Sequence, residues 1–154
     1  MMCELIVLTD SQVSFIKDNF RKNGLETLLP YLYLDVKTLE DWGMQNVEDE
    51  LQQAEVIYKA EITTTNTKEG AIDTKSLSEV ETLRKCYCLL CVISGSIPNI
   101  EWISSFTEKL SLNGNVVYWK IIENKDMRDN VKVKVLGLYN QTNHRPVFRN
   151  LRCL

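Results

Sequence analysis

The chain has 154 residues, a formal net charge of −3, 44% apolar and 25% charged side chains, six glycines and three prolines. That composition describes one ordinary globular domain, long enough to bury a core. No apolar run approaches the roughly 18 residues of a membrane span. The opening MMCELIVLTD has neither a basic n-region nor a small-residue cleavage site, so the expectation is a protein that is neither membrane-inserted nor secreted.

Glu4 to Thr9, ELIVLT, reads as a short strand ended by Asp10-Ser11. A helix follows, because Val13, Ile16 and Phe20, with Phe15, fall at helical spacing and Asn23-Gly24 supplies a stop. Leu29 to Val36 alternates like a second strand, with Tyr31, Tyr33 and Asp35 on one face and Leu32, Leu34 and Val36 on the other. Thr38-Leu39-Glu40-Asp41 resembles a capping box opening a polar stretch with a narrow stripe of Leu39, Trp42, Val47 and Leu51. Glu55 to Thr63 is β-rich, and Thr63 to Ser76 reads as a surface loop.

Ser78-Glu79-Val80-Glu81 forms a capping box that opens a helix. The run Cys86 to Ile93 is ambiguous, since a short apolar run fits a buried strand or a buried helix. The upstream cap and the alignment of Leu83, Tyr87, Leu90 and Cys91 favour a helix ended by Ser94-Gly95. Ile97-Pro98-Asn99-Ile100 reads as a short extended segment. From Glu101 a further helix carries Trp102, Ile103, Phe106 and Leu110 on one face. Asn115 to Ile122 and Val131 to Tyr139 are β-type runs, compatible with a hairpin across the charged turn Glu123 to Asn130.

Charge is uneven. Residues 1 to 75 hold 14 acidic and 7 basic side chains, and residues 76 to 154 hold 7 acidic and 11 basic, so a net of −7 is followed by a net of +4. The basic half offers a surface for an anionic partner, but its charges are scattered, and a solvated face is the plainer reading. Five cysteines without a secretory signal point to reduced thiols. Cys86, Cys88 and Cys91 read C-x-C-x-x-C, yet on a helix Cys86 points about 200° away from Cys88, so no zinc is expected. Asn140-Gln141-Thr142 matches a glycosylation sequon, which is idle outside the secretory route.

Two stretches carry a family resemblance. Thr82-Leu83-Arg84-Lys85-Cys86-Tyr87-Cys88-Leu89-Leu90-Cys91-Val92-Ile93-Ser94-Gly95-Ser96-Ile97-Pro98 followed by Glu101-Trp102-Ile103-Ser104-Ser105 is similar to the second helix of a BRCT module, its Gly-Ile-Pro exit and the tryptophan that anchors the third helix. ELIVLT resembles that family's first strand, and Arg145-Pro146-Val147-Phe148-Arg149-Asn150-Leu151-Arg152-Cys153-Leu154 looks like a linker into a following repeat. The likeness is greatest to the first repeat of the tandem BRCT region of p53-binding checkpoint mediators. It covers about half the chain, and the spacing from Pro98 to Trp102 is about two residues short of the family's pattern.

The resemblance implies an α/β, three-layer domain with a central parallel four-stranded sheet flanked by helices. A repeat would span residues 1–120 with an insertion near 38–76, and residues 121–154 would form a linker or hairpin. It further implies a non-enzymatic protein–protein interaction module of a nuclear DNA-damage-response scaffold. The partner would be a phosphorylated protein or histone-tail peptide, or a p53-like protein, with an adjacent BRCT repeat. Such modules hold phosphate with a hydroxyl after the first strand and a lysine at the start of the second helix. The matching positions are Thr9 and Lys85, with Thr82 and Arg84 as added hydroxyl and charge; Asp10 departs from the family's glycine there. A carboxylate beside a phosphate dianion costs Coulomb energy. Trp102 reads as a structural anchor, and no cofactor or metal is implied.

No P-loop, G-x-G-x-x-G, G-x-S-x-G or H-E-x-x-H occurs, and His144 is the one histidine. Two other readings remain open. One is a Rossmann-like domain holding a nucleotide or small ligand, which requires Cys86 to Ile93 to be a central strand, whereas the BRCT reading requires a helix. The other is a nucleic-acid-contacting domain using the basic half with Tyr118, Trp119, Tyr139 and Phe148.

Overall fold

The computed structural model describes residues 2–65, 78–96, 100–111 and 114–141. Residues 97–99 of the expected extended segment Ile97 to Ile100, residues 66–76 of the expected loop, and the Arg145 to Leu154 linker lie outside them. Five strands form one sheet in the order β1-β2-β5-β3-β4: β1 (Met2–Val7), β2 (Val56–Thr65), β3 (Cys88–Gly95), β4 (Val116–Glu123) and β5 (Asn130–Tyr139). Helices α1 (Asp10–Leu28), α2 (Val36–Trp42) and α3 (Met44–Gln52) lie between β1 and β2 in the chain, α4 (Ser78–Arg84) precedes β3, and α5 (Ile100–Leu110) joins β3 to β4.

The α/β class and the helix-flanked sheet are as expected. The core has two sides, because strand side chains alternate. Ile57, Cys88, Leu90, Val92, Leu136 and Leu138 pack with Phe20, Leu39, Trp42 and Leu51 of α1, α2 and α3. On the other side Ala60, Ile62, Leu89, Cys91, Val133 and Val135 pack with Leu83 of α4 and with Trp102 and Phe106 of α5.

The expected parallel four-stranded sheet is corrected in strand number and direction: it has five strands, and of the four pairings only β3 with β4 is parallel. The run expected as a helix through Ile93 is the strand β3. Seven of its eight residues are buried, and a run without a polar face suits a strand covered on both sides better than the outer turns of a surface helix. The capping-box helix stops at Arg84. The hairpin expectation is corrected too, since β3 lies between β4 and β5. The β-type run expected over Val131 to Tyr139 is β5, which sits in the middle of the sheet and belongs to the core.

Leu29 to Val36 is not a strand. Leu32 and Leu34 are buried and Tyr33 exposed, so the alternation is real, but the segment pairs with no strand and ends at Asp35, the N-cap of α2. Asn23-Gly24 does interrupt the helix: Asn23 leaves helical geometry (φ −136°, ψ 49°), and a second helical stretch runs on from the kink to Leu28. Gly24 also serves packing, because a Cβ there would meet Met44 Cε at 2.9 Å.

Candidate functional site

The expected phosphate residues are not brought together. Thr9 caps α1: its hydroxyl accepts from the Gln12 N–H at 3.2 Å while the Gln12 side chain accepts from the Thr9 N–H at 2.8 Å. Lys85 is exposed and lies beyond α4, just ahead of β3. Thr9 follows β1 at the same end of the sheet, with β2 and β5 between them, a separation on the order of 14 Å at the usual strand spacing. The Thr82 hydroxyl donates to the Ser78 carbonyl at 3.4 Å. Arg84 is buried, donating to the Lys109 carbonyl at 2.8 Å and to the Glu81 carboxylate at 2.9 Å. Its cation thus sits at the C-terminal end of α5, where a positive charge is favoured. That pairing also takes Glu81 away from the expected capping box; Ser78 lies inside α4, its hydroxyl donating to Glu79.

Trp102 is fully buried and stacked on Phe106 at 4.8 Å between ring centroids, an anchor in the core. The expected aromatic set does not share a surface. Tyr118 tilts against Trp42 at 5.9 Å, Trp119 alternates to the other side of β4, Tyr139 packs on the α4 and α5 side, and Phe148 lies outside the described residues. The small-ligand reading needs a strand at Cys86 to Ile93 and has one in β3. However, β5 beside β3 is antiparallel, so no crevice opens there between parallel strands that diverge to opposite sides. Cys88 and Cys91 pack on opposite faces of the sheet, and among the described residues no group of side chains is placed to hold a metal.

Among the described residues, the outer edge of β1 has unmet bonding capacity. In an antiparallel ladder, a residue that exchanges bonds with the strand on one side turns both its N–H and C=O to that side, and its neighbours turn theirs the other way. The Leu8 N–H donates to the Ile57 carbonyl at 2.9 Å, continuing the register in which Val7 faces Tyr58. Ile6 and Glu4 therefore bond to β2, and the N–H and C=O groups of Cys3, Leu5 and Val7 point outward. Ile6 is 52% and Val7 57% exposed, on opposite faces of the strand. The other edge is treated differently: the Trp42 indole N–H donates to the Trp119 carbonyl of β4 at 3.2 Å.

Beside the free edge, Glu4, Ile6, Lys59 and Glu61 enclose a hollow of about 90 Å3. Glu61 is engaged, its carboxylate 2.8 Å from Lys132 Nζ; that hydrogen bond holds the Glu61 carboxyl below the usual range and raises the Lys132 ammonium. Glu4 has no ion-pair partner among the described residues. Edge position was not visible in the sequence, although a six-residue strand with a charge inside an apolar run is typical of edges.

No protein-family model matches the chain, and no curated protein does. Among solved structures, CetZ from Methanosaeta thermophila strain DSM 6194 is similar over 84% of this chain at 17% identity and a TM-score of 0.46. This chain spans 38% of that protein's length.

Proposed function

We propose that the chain is a non-enzymatic protein–protein interaction module that takes an extended segment of its partner as an added strand along β1. The carrying observation is the outward row of backbone groups at Cys3, Leu5 and Val7, flanked by exposed Ile6 and Val7. Main-chain bonds supply attachment in such a mode, and side-chain neighbours supply selectivity. Here a basic side chain suits the position beside Glu4, and apolar ones suit the positions beside Ile6 and Val7. Six residues of edge make a small interface, so the complex belongs to the weak, transient class.

A phosphopeptide pocket built on Thr9 and Lys85 has less support. The Thr9 hydroxyl is committed to its cap, and the hollow beside it is lined by Asp10, Asp18 and Glu55, carboxylates that repel a phosphate. The checkpoint and nuclear setting implied by the BRCT resemblance leaned on the helix that β3 replaces, and it forms no part of this proposal.

The test selects ten-residue peptides from a random library on the immobilised chain and measures their affinity for variants. Val7→Pro removes an outward N–H and should weaken binding at least tenfold, while Lys85→Met and Thr9→Ala should leave it within twofold. The opposite pattern, with Val7→Pro silent and Lys85→Met disabling, would sink strand addition.

A further inference from the structure

The chain leaves the sheet beside an acidic groove. Asp10, Ser14, Lys17 and Asp18 follow one another at i, i+4, i+7 and i+8 along α1, one side of the helix. With Val13, Ala54 and Glu55 they wall an open hollow of about 390 Å3. Lys17 is already occupied, its ammonium donating to the Ala54 carbonyl at 2.9 Å. Three carboxylates, Asp10, Asp18 and Glu55, remain against that one cation.

After β5 the Asn140 amide donates to the Gln53 carbonyl at 2.6 Å, and the Gln141 backbone N–H donates to the Glu55 carboxylate at 3.1 Å. Gln141, the last described residue, therefore lies at the wall of the groove. Residues 142–154 carry Arg145, Arg149 and Arg152 and no acidic side chain. Reach is sufficient: four residues beyond Gln141 extend about 13 Å, and Asp10 to Asp18 span about 12 Å of helix.

We propose that the acidic groove along α1 is the docking site of the chain's own basic segment, Arg145 to Arg152. The charges are complementary, the attachment point is fixed at Glu55, and the groove is open along its length. Because these carboxylates lie near solvent, the docking is salt-sensitive. The site is separate from the β1 edge and does not depend on strand addition.

The full chain is digested with a low level of trypsin, and cleavage after Arg149 and Arg152 is timed by mass spectrometry; the Arg145-Pro146 bond resists the enzyme. When opening is fast, cleavage tracks the undocked population, so a segment docked in about nine molecules of ten is cut about tenfold more slowly than a free peptide of the same sequence. Asp10→Asn combined with Asp18→Asn should raise the rate toward that of the free peptide. A second measurement needs no groove variant: a spin label on Cys153, in a chain with Cys3→Ser, should broaden the amide signals of Ser14, Lys17 and Asp18, and salt at about 1 M, which shortens screening to about 3 Å, should restore them. Cleavage of the wild type at the free-peptide rate, or unbroadened signals along α1 at low salt, would overturn the proposal.

Discussion

The backbone N–H of Leu8 donates to the carbonyl of Ile57 at 2.9 Å, and this single bond sets which residues of β1 are spoken for. Counting back in twos, Ile6 and Glu4 turn toward β2, whereas Val7, Leu5 and Cys3 turn to the open edge. Neighbouring residues of one short strand thus have opposite bonding states.

Proline substitutions should separate the two states. Val7→Pro deletes an outward N–H and should keep the folded state, as proline is tolerated on the free side of an edge strand. Ile6→Pro deletes an N–H bonded to β2 and should destabilise by several times as much. Urea denaturation of both variants checks this, and equal losses would show that the register has been misassigned.

Thr9→Ala should cost stability, not ligand affinity. It removes the hydroxyl of a reciprocal cap with Gln12, a change usually worth about 1 kcal/mol. Lys85→Met should be near neutral, because that side chain is exposed. Binding of a phosphoserine peptide that falls in both variants would revive the phosphate pocket.

Much of the architecture was legible from residue patterns. Val13, Ile16 and Phe20 marked the buried side of α1, Trp102 and Phe106 that of α5, and the β-rich run before Thr63 became β2. What failed were features decided by tertiary context. Cys88 to Ile93 looks alike as a core helix or a central strand, and only its neighbours β4 and β5 settle the matter. Tyr31 to Asp35 alternates without a strand partner. The candidate edge was the least legible part, since nothing in ELIVLT says which of its sides a neighbour will cover.

Gly137 in β5 is a packing requirement. A Cβ there would stand 2.8 Å from Cys86 Sγ and 3.1 Å from Leu83 Cδ2. Gly137→Ala should therefore destabilise by about 1–3 kcal/mol through overpacking. Cys86→Ala in the same chain should recover part of the loss, and a thermal-unfolding double-mutant cycle without coupling would contradict the contact.

The buried thiols make the fold sensitive to alkali. Burial pushes the Cys86 and Cys91 thiols up from 9.0 to about 12. Below pH 9 both folded and unfolded chains keep these thiols protonated, and the thiols' full contribution is present. As pH rises from about 9 toward about 12 the unfolded chain alone loses protons, so stability falls across that window. Denaturation midpoints measured from pH 8 upward should decline, and Cys91→Ala should decline less steeply from its own starting value. The same burial should keep both thiols silent to iodoacetamide at about pH 8 until the chain unfolds.

Amide hydrogen exchange along β1, in the free chain and with a selected peptide bound, bears most directly on strand addition. In the free chain the N–H groups of Ile6 and Leu8 should be protected and those of Leu5 and Val7 should exchange rapidly. On binding, Leu5 and Val7 should become protected as well. A peptide that binds while Leu5 and Val7 continue to exchange as in the free chain would contradict the account.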